Sequence, residues 1–276
     1  MTLLRFNQAE LQAWADYSGD YNPIHFDEEI AEAAIGQSGV VMHGMLAMMP
    51  LKSSHSAMTW ADDGWLQWSA MLRQAMPLHA DYRLESRVVD PNRQIRFKLS
   101  KAGDAQTMIS GHCAVVDFNP APYEKYRRLA VPPEEVRREL EGFGSRFPAA
   151  PAAWIAIDAM MFSRYLRHHA DEIFHEVAAK YVGTDMPGLP SPENIVTMQT
   201  HHHDIFCGPL LQRLDFNKIS SFEYGYCKTD EILTRDSVFL MVEIPVWING
   251  NLEQVVQIGL MARTIRPATT QGAMYE

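Results

Sequence analysis

Two apolar, helix-compatible stretches are each followed by four segments of alternating character, and this repeated layout leaves few possible folds. The first stretch is "GMLAMMPLKSSHS", Gly44 to Ser56. It leads into "WLQWSAMLR", "DYRLESRVVD", "RQIRFKLSKAG" and "AQTMISGHCAVVDF". Alternation at a period of two, with turn residues between the runs, predicts four antiparallel strands. Pro50 is expected to kink the helix or end it early. The second stretch is "AAWIAIDAMMFSRYLRHHADEIFHEVAAKYV". Its strand-like segments are "NIVTMQTHHHDIF", "SFEYGYCKTDEIL", "SVFLMVEIPVWING" and "NLEQVVQIGLMARTIRP", and "INGN" is a hairpin signal. Helices followed by runs of strands make an α+β class. "FNPAPYEKYRRLAVPP", Phe118 to Pro133, is proline-rich and charged and reads as a linker. The expected organisation is therefore a first domain over 1–118, a linker over 119–133 and a second domain over 134–276. The halves share layout rather than sequence.

Charge narrows the partners. A formal net charge of -10 argues against nucleic acid, which needs a basic face. No apolar run reaches the ~20 residues of a membrane helix. The beginning, "MTLLRFNQAELQAW", lacks the basic and apolar regions of a secretory leader. The three cysteines, Cys113, Cys207 and Cys227, show no zinc or redox spacing and fit a reducing, cytoplasmic setting. The 16 methionines fill a core or give an acyl chain an adaptable wall.

The chemistry concentrates before the first apolar helix. "NQAELQAWAD" is a short helix with a capping box at Asn7 and Glu10, and it ends near Gly19. "SGDYNPIHFDEE" follows. Pro23 fixes its own φ and drives Asn22 to an extended conformation, so the loop is stiff. It can hold Asp20 and His25 in constant relation, and a carboxylate beside a near-neutral imidazole can bind a water and move its proton. "DEEIAEAA" makes a second short helix, and His43-Gly44 opens the apolar one. Free N–H groups at that helix start can stabilise a carbonyl oxygen as it turns negative, and Gly44 lets a substrate approach. Taken alone, Asp-x-Asn-Pro-x-His is as readily a capped turn as a site. Its combination with "VVMHGM" suits attack of water on an activated acyl compound, or the reverse.

The stretch "LQAWADYSGDYNPIHFDEEIAEAAIGQSGVVMHGMLAMM" resembles the N-terminal signature of the MaoC-like (R)-specific enoyl-CoA hydratases of the hot-dog superfamily. The resemblance is close from Leu11 to Met49 and looser to Phe118. It implies a double hot-dog, each sheet wrapping an apolar helix, with a catalytic first half and a non-catalytic second half. It implies that Asp20 and His25 activate water and that the Gly44 N–H polarises the thioester carbonyl. Asn22, His43 and Met45 are expected to face the substrate. The implied activity is a hydro-lyase acting on acyl thioesters of coenzyme A or acyl carrier protein, with no metal or cofactor. The chain would act as a monomer of two hot dogs or as a homodimer. A hot-dog thioesterase and a non-catalytic acyl-binding protein are the alternatives. Three departures stand out: Lys52 replaces a family serine, Pro50 interrupts the helix, and "PLHAD" shortens a strand turn.

The remaining histidines point elsewhere. In "HHH", only His201 and His203 can share a strand face, so a polar strand is favoured over a metal site. His168 and His169 are expected in solvent, and Asp171 with His175 as a surface pair. Cys113 is expected in the core. Arg127, Arg128, Arg137 or Arg138 could meet the phosphates of a pantetheine carrier.

Overall fold

The computed structural model describes residues 2–36, 38–60, 64–104, 106–170, 195–212, 214–233 and 237–264. The chain opens with β1 (Thr2–Arg5), α1 (Gln8–Ser18), α2 (Glu28–Ile35) and α3 (Gly44–Ser56). Four strands follow: β2 (Trp65–Leu72), β3 (Asp81–Asp90), β4 (Gln94–Lys101) and β5 (Thr107–Val116). Then come β6 (Leu129–Val131), α4 (Pro133–Arg146) and α5 (Ala153–His168). The second half supplies β7 (Ile195–Cys207), β8 (Phe222–Tyr224), β9 (Cys227–Leu233), β10 (Ser237–Ile248) and β11 (Asn251–Thr264).

The described strands form one antiparallel sheet in the order β1-β3-β4-β5-β2-β7-β11-β10-β8-β6, with β9 also on β10. The halves join edge to edge, because β2 pairs with β5 on one side and β7 on the other. Trp68 thus stands opposite both Cys113 and Asp204. Pairing β2 on both sides removes an edge that would otherwise expose unpaired N–H and C=O groups.

Each half lays its apolar helix on the sheet. In α5 every residue from Ala153 to Tyr165 is buried, so this helix is enclosed on all sides. In α3 the buried residues are Met45 to Met49, Leu51, Lys52 and His55. Burying a Leu or Met side chain contributes about 1.5–3 kcal/mol. That burial explains why α3 runs through Pro50 to Ser56 rather than ending early. The proline removes one helical hydrogen bond, but packing fixes the helix on the sheet.

Three local expectations resolve clearly. Asn249 and Gly250 adopt positive φ (52° and 87°) and close the β10–β11 hairpin, the mirror-image turn that "INGN" predicts. The Phe118–Pro133 stretch contains β6, which pairs with β8, and Tyr123 and Tyr126 donate hydrogen bonds to Glu243. His169 is buried rather than solvated: its ring lies 3.0 Å from the Tyr224 hydroxyl and against Tyr226, while His168 is exposed. It is the cap residue of α5 and turns back toward the β8 region, which the helical period alone does not reveal. Asp171 and His175 lie outside the described residues.

Candidate active site

The site begins with how α1 stops. Its N-terminus carries the full Asn7–Glu10 capping box, and Gly19 ends it in the left-handed conformation at φ 80°. Asp20 comes next. Asn22 then caps a short helical turn, Pro23–His25, accepting from the Ile24 N–H at 3.4 Å. Its amide also donates to the Thr197 carbonyl of β7 at 2.6 Å, so the loop is tied to the second half.

His25 is buried, and its Nδ1 lies 2.7 Å from the Val41 carbonyl. A carbonyl only accepts, so Nδ1 carries the proton and Nε2 keeps its lone pair. Nε2 lies 3.9 Å from Asp20 Oδ2. Two acceptors at that spacing are too far apart to bond directly, and one water can bridge them. Burial lowers the His25 pKa, opposed by Asp20 and the Val41 carbonyl. The imidazole is therefore neutral and basic at neutral pH.

His43 precedes α3 and locks the loop to it. Its Nε2 donates to the Asp20 carbonyl at 2.9 Å, and its ring lies over His25 at 3.7 Å between centroids. Burial pushes the His43 pKa down to about 4, and the adjacent His25 adds to the effect. A neutral His43 sets no positive charge against His25, which leaves His25 free to take a proton. Its side chain caps nothing in α3, which leaves the first N–H groups of that helix without a side-chain partner. Gly44 is that first residue, and Met45 beside it is buried. A Cβ on Gly44 would sit 2.5 Å from Leu72 Cδ2 and 2.8 Å from Gln199 Oε1. Sequence-expected Asp20, Asn22, His25, His43 and Gly44 thus form one continuous constellation, with Met45 in the wall behind it.

Asp20, His25 and His43 lie close enough for one cation. The Nε2 of His43 is committed as a donor, however, leaving Asp20 and His25 as the available ligands. The arrangement suits a water better than a metal.

Residues 2–60 match the family model for the MaoC-like domain. The whole architecture of the chain matches a conserved hypothetical protein from Mycobacterium tuberculosis described as a double hotdog fold. The TM-score is 0.54 at 10% identity, covering 95% of this chain and 93% of that one. A MaoC domain protein from Chloroflexus aurantiacus gives a TM-score of 0.53 at 8% identity, covering 97% and 94%. At such identities these likenesses establish the double hot-dog fold alone. No curated protein matches the sequence.

Beside this site lies a polar cluster that the sequence did not assemble. Lys52 is fully buried in α3 and reaches Asp158 of α5, Asp204 Oδ2 (3.0 Å) and His202 Nε2 (2.9 Å) of β7. His202 Nε2 lies 2.9 Å from Asp158 Oδ1 and 3.0 Å from Asp204 Oδ2. Gln254 donates to Asp204 Oδ1 at 2.9 Å. Burial opposes ionisation of Asp204, but Lys52 and His202 hold its pKa down near 2. Asp158, His202 and Asp204 are spaced as a cation site, and the Lys52 ammonium is the cation among them. In "HHH", His201 and His203 do share a face, with stacked rings, while His202 turns inward. The available signals were a lysine in one apolar helix and an aspartate in the other.

Proposed function

We propose that this chain hydrates trans-2-enoyl thioesters to (R)-3-hydroxyacyl thioesters, or catalyses the reverse dehydration. The observation that carries the reading is the Asp20–His25 pair, spaced for a water and bound through His43 to the start of α3. The match of residues 2–60 to the MaoC-like domain supports it, and the family resemblance supplies the stereochemistry.

In the forward direction a water sits between Asp20 Oδ2 and His25 Nε2. His25 takes one proton as general base, and the water oxygen bonds to C3. The C2–C3 π pair moves toward the thioester, and the developing oxyanion is held by the Gly44 N–H. The proton held on His25 is then delivered to C2, which completes the addition and restores the neutral imidazole. Asn22 fixes the loop, and His43 and Met45 shape the wall. The residues need no metal or redox cofactor for these steps.

The second hot dog is a non-catalytic partner in this scheme, since Asp-x-Asn-Pro-x-His occurs once in the sequence. It can widen the acyl pocket and replace the partner subunit of a single-hot-dog dimer. The carrier is coenzyme A or acyl carrier protein, and the setting is cytoplasmic.

A panel of enoyl and saturated acyl thioesters on both carriers tests the reading. Loss of the enoyl absorbance is expected with the unsaturated substrates, slowed about 10²–10⁴-fold by Asp20→Asn and by His25→Ala. Release of free thiol from saturated substrates would instead establish a thioesterase. No turnover of any member would leave an acyl-binding role.

A further inference from the structure

Gln199 of β7 joins the candidate active site to the buried ionic cluster. One end of its amide, Nε2, lies 2.9 Å from His202 Nδ1 and 3.6 Å from the Met45 sulfur. The other end, Oε1, is fully buried and has no hydrogen-bond partner. That oxygen lies against Gly44, 2.8 Å from where a Cβ would stand. A buried amide oxygen without a donor has given up its water and gained nothing in exchange.

The cluster decides which end should face His202. Lys52 contributes one positive charge and Asp158 and Asp204 contribute two negative ones. With neutral His202 the buried set carries a net charge of about -1, which is expensive away from water. An imidazolium brings it to zero. Its Nε2–H then lies against the two carboxylates, and its Nδ1–H points at Gln199. Even a neutral ring that accepts from Lys52 at Nε2 carries its proton on Nδ1. With Nδ1 protonated, Gln199 must present oxygen to His202; only a neutral ring carrying its proton on Nε2 toward Asp204 would accept from the Gln199 NH₂, and that ring leaves the charge of the cluster unbalanced. A half-turn of the amide, which exchanges two groups of similar size, satisfies this. It places the NH₂ against Gly44, where the unpartnered oxygen otherwise sits.

We propose that Gln199 is a second oxyanion donor, its NH₂ aimed by His202 at the thioester oxygen beside the Gly44 N–H. The second hot dog then contributes to catalysis directly. Lys52, Asp158 and Asp204 act as positioning residues that keep the His202 proton on Nδ1. Burial alone would lower the His202 pKa, but Asp158 raises it against Lys52, Asp204 adds to the rise, and the net shift is upward. His203, the adjacent histidine, is driven down to about 4 by burial and by His202 and His201, so it adds no competing charge.

This inference rests on the hydratase reading, so two measurements separate their failures. Crotonyl and trans-2-decenoyl coenzyme A are the probes. Gln199→Met removes the donor at similar volume, and Gln199→Glu keeps an acceptor for His202. Both are expected to lower kcat by about 10²–10³, as loss of one oxyanion donor does, with KM changed less than about fivefold. Thermal unfolding of each variant is followed in parallel, and retention of a cooperative transition shows that the loss is not unfolding. In ¹⁵N-histidine spectra of the wild type at pH 7, His202 is expected to show protons on both nitrogens. Full activity in Gln199→Met with an active wild type would overturn this inference alone. So would an unprotonated His202 Nδ1. Absence of turnover by the wild type would overturn the hydratase reading and this role with it.

Discussion

The Val41 carbonyl accepts a hydrogen bond from His25 Nδ1–H, and this one backbone contact makes the imidazole a base on the side facing Asp20. A base works only when unprotonated, and burial has lowered the His25 pKa below its usual 6.5. The acid limb of the kcat/KM profile should therefore be centred below pH 6.5. Asp20→Asn removes a charge that raises that pKa, so the acid limb should move lower still while the rate drops about 10²–10⁴-fold. A pH–rate profile of both proteins checks this, and an acid limb centred above 6.5 would contradict it. His43 sets an opposite demand on stability. Unfolded, it takes a proton near 6.5; folded, near 4. The unfolded state binds more protons between those values, so stability should fall as pH drops from 6.5 to 4. His55, buried and also near 4, acts in the same sense. Urea midpoints across that range should decline, and a flat profile would remove both histidines as the cause. Asp20, His25 and the helix-start glycine were legible because loop stiffness and spacing are local. The proton position on His25 was not, since Val41 is 16 residues away.

Element boundaries followed the sequence where local chemistry sets them. The capping box and Gly19 bound α1, and Asn249-Gly250 turns the last hairpin. Helix α3 differs: its start is defined by what a side chain at position 44 would hit. Alanine is a better helix former than glycine by about 1 kcal/mol. At Gly44 the added carbon meets Leu72 and Gln199, and overpacking of this kind costs about 1–3 kcal/mol. Gly44→Ala is expected to lower the unfolding temperature and cut activity at least tenfold. A variant both more stable and fully active would show that no close approach is needed there. Pro50 illustrates the opposite failure. As an isolated segment the helix should break, yet the sheet beneath it supplies the packing that keeps it continuous.

At the scale of the molecule, the β2–β7 seam and the Lys52 cluster bind the halves into one unit. Lys52 comes from the first half; Asp158, His202 and Asp204 come from the second. Removing one partner of a buried ionic set leaves uncompensated charge and costs about 3–5 kcal/mol. Lys52→Met should therefore destabilise both halves in a single cooperative transition. Adding Asp158→Asn should recover part of the loss, because the two positions share one charge balance. Calorimetry of the single and double variants tests this. Separate transitions for the two halves, or strictly additive losses, would count against a shared cluster.

The α+β class, the paired helix-then-strands layout and the Asp20–His25–Gly44 grouping can all be read from the order of residues. These depend on period, turn chemistry and spacing within about 25 residues. Long-range packing sets the rest: the halves share a sheet, His202 faces inward, and Lys52 is buried. A lone lysine in an apolar helix carries no sign of its counterions when they stand more than 100 residues away. The long-range pairing of β2 with β7 brings Asp204 and His202 to it, and the packing of α3 near α5 brings Asp158.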